Sequence, residues 1–232
     1  MYSILEHYLS TNHILMIGMI VTFILTFFLL EHPFSFLPSD QGRAFAVNGS
    51  LSKGKLRGVG FIFVLCFLIS SVLFLPIDVE YVIYAILLFA MMISGYLDDA
   101  SKTPWNEYKK GLIDLVISIV AVLTYMNFNS TTICFGADEI VIPKALFLIL
   151  GVILIWVSVN VTNCTDGVDG LCASLCSVTL LAFGVLFAPI LQKYAMANFL
   201  FLSVLFAYLY FNSSPSSMLM GDAGSRLSLI HI

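Results

Sequence analysis

Charged side chains are scarce in this sequence. They make up 10% of the 232 residues, and 60% are hydrophobic. A soluble domain carries about 25% charge and roughly 45–50% apolar residues, so an ordinary water-soluble globule is excluded. Strict apolar/polar alternation in segments of about 10 residues is also missing, which excludes a membrane β-barrel. Cysteine and histidine never pair at metal-ligand spacing, so no zinc site is expected. Cys66, Cys172 and Cys176 lie in apolar runs and read as small hydrophobes. The opening residues, MYSILEHYLSTNH, lack the positive region of a cleavable signal peptide. Internal repeats and low-complexity segments are absent.

What the chain has is long apolar runs. A bilayer core of about 30 Å takes roughly 20 apolar residues per helical span. About seven runs approach that length, near residues 13–31, 58–77, 80–97, 111–127, 144–160, 171–190 and 195–212. The expected fold is all-α, a polytopic helical membrane protein. Pro33, Pro38, Pro76, Pro104, Pro143 and Pro215 fall at or between span ends. Arg43, Lys53, Lys55 and Arg57 follow the first span, Lys102, Lys109 and Lys110 the third, and Arg226 the last. Only Lys144 and Lys193 fall on the other side. By the positive-inside rule the basic side faces the cytoplasm and the N-terminus lies outside.

This topology puts GYLDDASKTPWNEYKKG, NCTDGVDG, MGDAGSR and the loop after the first span on one membrane face. Asp98, Asp99, Asp166, Asp169 and Asp222 sit there at span ends. Ionisable groups kept at a membrane boundary are functional candidates. Taken singly, each has a plainer reading: Asp98 and Asp99 as a solvated helix end, Asp166 or Asp169 as a helix N-cap. Taken together, they form a site for hard cations. Mg²⁺ is usually held by one or two carboxylates with substrate phosphates and water. Lys53, Lys55, Arg57, Lys109 and Lys110 on the same face suit phosphate. Gly167, Gly170, Gly221 and Gly224 admit close backbone approach. The spacing of DGVDG is not that of a calcium-binding EF-hand loop. An ion-coupled transporter would keep its acids near the midplane at broken helices. Here the runs are mostly free of charge; the main exception is Asp114, placed at i, i+4 from Lys110 and able to pair with it. The pattern favours a metal-assisted phosphoryl or phospho-sugar transferase.

GYLDDA, NCTDGVDGL and MGDAGS resemble, in order and spacing, the three signature loops of the polyprenyl-phosphate N-acetylhexosamine-1-phosphate transferase superfamily. The middle loop is similar to Asn-Leu-Thr-Asp-Gly-Leu-Asp-Gly-Leu. Asn163, Thr165, Asp166, Gly167, Asp169, Gly170 and Leu171 match it, and Cys164 and Val168 replace leucines. The run LPSDQGRAFAVNGSLSKGKLRGVGFIF is most similar to the bacterial phospho-N-acetylmuramoyl-pentapeptide transferase branch, with KLRGVG where that branch carries Thr-Pro-Thr-Met-Gly-Gly. N-acetylglucosamine-1-phosphate transferases share the aspartate loops and are the alternative branch. The resemblance implies transfer of a phospho-sugar from a UDP-linked donor, UDP-N-acetylmuramoyl-pentapeptide, to undecaprenyl phosphate, with release of UMP. It implies Mg²⁺ as cofactor, with Asp222 as its ligand. Asp98 and Asp99 are implied as catalytic with Asp222, and Lys53, Lys110, Asn163, Asp166 and Asp169 as substrate-binding. Direct attack and a covalent aspartyl intermediate both remain open. The implied setting is the bacterial cytoplasmic membrane, with the bilayer as partner, a homodimer as the frequent assembly, and no nucleic acid.

The superfamily has about ten spans and a His-rich loop, whereas His7, His13, His32 and His231 form no such loop here. The expectation is one transferase domain over 1–226, incomplete at its C-terminus. The final LSLIHI, residues 227–232, reads as a translated sequencing adapter without function.

Overall fold

The computed structural model describes residues 1–32, 34–40, 53–101, 103, 105–135 and 138–226. Pro33, Arg43, Lys102, Pro104 and the 227–232 tail with His231 lie outside the described residues. One helical turn, α1 (Tyr2–Leu5), precedes α2 (Thr11–Glu31), α3 (Gly60–Phe74), α4 (Val79–Asp99) and α5 (Glu107–Phe128). An antiparallel hairpin of β1 (Thr132–Phe135) and β2 (Asp138–Val141) follows, with Thr132 opposite Val141. Then come α6 (Lys144–Thr165), α7 (Leu171–Phe187), α8 (Gln192–Asn212) and the single turn α9 (Asp222–Ser225). Every apolar run is a helix. The hairpin was not expected, because four-residue strands show too little alternation to register.

Five helices (α2, α4, α5, α6 and α8) are long and apolar enough to cross a bilayer. The chain is a polytopic helical membrane protein. Helix α3 has 15 residues and α7 has 17, shorter than the sequence runs that contain them. The run 58–77 begins with Gly58 at φ +76° and ends on Leu75-Pro76, neither of which continues a helix. The run 171–190 stops at Phe187, ahead of Pro189.

Helix α8 is the axis of the bundle, with α2, α3 and α7 packed around it. Phe201 and Tyr208 on α8 interlock with Phe63 and Phe67 on α3, the Phe67–Phe201 ring centroids being 5.0 Å apart. Helix α6 instead turns most of its surface outward. Ile86, Leu154 and Val178 are among many large apolar side chains left exposed. In water such a surface would drive association; in a bilayer the surrounding lipid is equally apolar. Several buried hydroxyls are satisfied within their own helices, whereas those of Thr22, Ser70, Tyr81 and Tyr208 have no hydrogen-bond partner among the described residues. Thr26, Ser71, Ser118 and Ser177 each donate to the carbonyl four residues earlier, at 2.7–2.8 Å.

A clamp of polar side chains closes one end of the bundle. Asp78 caps α4 by accepting the Tyr81 amide at 2.8 Å. Buried Glu80 accepts from Asn129 Nδ2 at 2.6 Å, the Tyr194 hydroxyl at 2.8 Å and the Tyr84 hydroxyl at 3.2 Å. Lys193 pairs with Asp78. The start of α4, the end of α5 and the start of α8 are thereby joined. The opposite end gathers the signature loops.

Candidate active site

Three backbone segments meet at that opposite end. The Arg57 amide donates to the Pro38 carbonyl, and the Leu219 amide to the Leu56 carbonyl, both at 2.8 Å. The Gly60 amide donates to the Met220 carbonyl at 3.0 Å. Gly221, at φ +67°, then turns the chain into α9. This turn lies on bare backbone. A Cβ on Gly60 of α3 would stand 2.2 Å from the Gly224 nitrogen, and a Cβ on Gly95 of α4 would stand 2.5 Å from the Asp222 carbonyl. The α9 turn therefore sits between the site ends of two helices and presents Asp222 to both.

The charges interlock around it. Lys110 Nζ lies 2.6 Å from Asp98 Oδ2 and 3.0 Å from Asp222 Oδ2. Asp98 Oδ1 also accepts the Trp105 amide at 2.7 Å. Arg57 Nε donates to Asp99 Oδ1 at 2.8 Å, while its two terminal nitrogens reach Asp40 and Asp222, each at 3.5 Å. Burial alone would lower the Arg57 pKa; Asp99, Asp222 and Asp40 outweigh it and raise the pKa above its ordinary value. The Ala223 amide donates to Asp99 Oδ2 at 3.2 Å. The Asp99 carboxylate is fully enclosed by these partners.

The middle signature loop lies alongside. Ser225 donates to Asn163 Oδ1 at 2.9 Å, which ties that loop to the α9 turn. Asp169 accepts the Ser216 amide at 3.0 Å and pairs with Lys55 at 3.8 Å. Burial would raise the Asp169 pKa, but Ser216 and Lys55 outweigh it and hold the carboxyl below its usual range. Neither Asp166 nor Asp169 caps α7. Gly170 is its N-cap, and Asp166 instead ends α6. Asp166 is half-buried at that turn.

Asp98, Asp99, Lys110, Asn163, Asp169 and Asp222 are thus brought together, with Asp166 beside them. Lys53 is exposed, and the ion pairs of its segment run through Lys55 and Arg57 instead. A loop outside regular structure can put one cation outside and its neighbours inside, so the sequence could not choose among them. The expected Lys110–Asp114 pair also gives way. Lys110 turns to Asp98 and Asp222, and Asp114 pairs with Arg226. Asp40 is a participant that sequence reading missed; the signal was its place in the same loop as Arg57.

Among the described residues no three His, Cys, Asp or Glu side chains form a ready metal cage. The donor set still fits Mg²⁺, which takes one or two carboxylates and completes its shell with phosphate and water. Asp98 and Asp222 bracket a single cation, the Lys110 ammonium.

The fold and site are thus those of a helical membrane bundle with a carboxylate–lysine–arginine cluster at one end. Residues 81–229 match the family model for glycosyl transferase family 4, and the chain belongs to that family. A phospho-N-acetylmuramoyl-pentapeptide-transferase of Treponema pallidum is 33% identical over 90% of this chain and 64% of its own length. Proteins of the same name from Microcystis aeruginosa and Dictyoglomus turgidum are 31% and 26% identical, over 72% and 92% of this chain and 49% and 70% of theirs. The chain spans 64% of the length of the Treponema relative.

Proposed function

We propose that the protein transfers phospho-N-acetylmuramoyl-pentapeptide from its UDP-linked donor to undecaprenyl phosphate and releases UMP. The observation that carries this is Lys110 seated between Asp98 and Asp222, which joins two signature loops at one end of the bundle. The names of the three relatives favour the muramoyl-pentapeptide donor over N-acetylglucosamine. An ion-coupled transporter is disfavoured because the acids gather at one end of the helices rather than at mid-depth.

An oxygen of the lipid phosphate attacks the sugar-linked phosphorus of the donor. The bond to the uridylate phosphate breaks, UMP departs, and a lipid-linked pyrophosphoryl sugar remains. Lys110 and Arg57 offset the phosphate charge as it builds. Asp98, beside Lys110, takes the proton from the lipid phosphate. Asp99 is a positioning residue, acting through Arg57 and the Ala223 amide. Asn163, Asp166 and Asp169 face the nucleotide. Asp222 would hold Mg²⁺, and the ion would supply Lewis-acid stabilisation of the pyrophosphate. The end bearing Lys55, Arg57 and Lys110 faces the cytoplasm, where a nucleotide donor is found.

The test is UMP release by the full-length protein in micelles, with undecaprenyl phosphate and UDP-N-acetylmuramoyl-pentapeptide. Release that requires Mg²⁺, stops with EDTA and fails with UDP-N-acetylglucosamine is expected. Turnover of the N-acetylglucosamine donor instead would overturn the assignment of the sugar.

A further inference from the structure

Among the described residues, Arg226 is one of the largest side chains buried without exposure. The proposed chemistry does not use it. It closes the α9 turn four residues after Asp222. Its guanidinium pairs with buried Asp114 of α5, four residues after Lys110. Nη2 also donates to the Lys110 carbonyl at 3.3 Å, and Nη1 donates to the hydroxyl of Ser94 at 3.2 Å. Ser94 lies on α4, four residues before Asp98. Residues four apart stack on one helix face. Ser94, Asp114 and Arg226 thus repeat, one turn deeper, the triad of Asp98, Lys110 and Asp222.

Stability alone does not explain this layer. Desolvating a guanidinium and a carboxylate offsets much of their attraction, and an apolar pair of similar volume often does as well. What the guanidinium adds is direction, since its planar fork fixes several acceptors at once. These acceptors lie on the two helices that carry Asp98 and Lys110.

The geometry points to Arg226, with Asp114, as a positioning pair that sets the spacing of Asp98, Lys110 and Asp222. Its kinetic consequence rests on the transferase reading above; its structural consequence does not.

The experiment compares wild-type full-length protein with the double variant D114L/R226M in micelles. Thermal unfolding reports the fold. Mass spectrometry reports the rate at which an amine-acylating reagent labels Lys110. UMP release reports kcat and the donor KM. The double variant is expected to unfold near the wild-type temperature and to label faster at Lys110, because the ammonium is less tightly held. Its kcat should fall about 10–100-fold, with donor KM moved less than about threefold, as when the support of a metal site is lost. Wild-type labelling and wild-type kcat in a folded double variant would overturn the proposal. If the double variant does not fold, R226K replaces it. Lysine keeps the charge opposite Asp114 but cannot reproduce the fork, so labelling should again rise and kcat fall. Failure of both variants to fold would overturn the proposal in favour of a purely structural pair. A wild type that releases no UMP defeats the transferase reading, while the labelling comparison still decides the positioning role.

Discussion

Lys110 Nζ lies 3.0 Å from Asp222 Oδ2, although 112 residues of chain separate them. A divalent cation held by Asp222 would have to share or take the place of that ammonium. Lys110→Met should therefore bind Mn²⁺ more tightly without substrate, as read by electron paramagnetic resonance titration. Turnover should still fall about 10²–10³-fold, because a donor aimed at the phosphate charge is gone. Unchanged Mn²⁺ affinity would show that the metal sits elsewhere.

Gly60 and Gly54 give a paired test of close approach. Gly54 has φ +87° but open space around it, so Gly54→Ala meets only backbone strain, about 1–2 kcal/mol. Gly60→Ala puts a methyl group 2.2 Å from the Gly224 nitrogen and must displace the α9 turn. Its unfolding temperature should drop further than that of Gly54→Ala, and UMP release should vanish. Near-normal release by Gly60→Ala would mean the turn has room to move.

Glu80 separates stability from chemistry. It anchors three donors at the end of the bundle away from the site. Glu80→Ala should cost at least about 1–3 kcal/mol, since buried donors lose their acceptor. Measured well below the unfolding temperature, kcat and KM should stay at wild-type values. A fall in kcat at full folding would couple the two ends.

Asp169 sets a pH dependence. Its pKa in the folded state lies below its usual value, so its contribution is complete above the unfolded pKa of about 3.9 and disappears as pH falls through the folded value. Asp169→Asn should flatten the acid side of a stability-against-pH curve below about pH 4. Equal curves for variant and wild type would show that Ser216 and Lys55 do not hold the carboxylate in solution.

Helix positions were legible because a continuous apolar run of bilayer length satisfies its backbone in lipid only as a helix. The gathering of Asp98, Asp169 and Asp222 at one end was legible from the odd and even numbering of spans and the distribution of lysine and arginine. Partner choice was not. Asp114 stands at helical spacing from Lys110, yet it pairs with an arginine that is distant in sequence. Local spacing defines the partners within reach, and tertiary packing decides among them. For the same reason nothing in the sequence singled out Gly60 or Gly95, whose importance lies in what rests on them.

Helix α4 is 21 residues long and carries the Glu80 clamp near one end and Asp98 at the other. At 1.5 Å per residue it measures about 30 Å, the thickness of a bilayer's hydrocarbon core. It works as a depth gauge. Pinned at one surface by the Glu80 clamp, it would hold Asp98 near the other, at the level of the lipid phosphates in the proposed reaction. In that reaction the lipid acceptor would then drift in sideways with its tail still dissolved in the membrane, and only the nucleotide-linked donor would arrive from water.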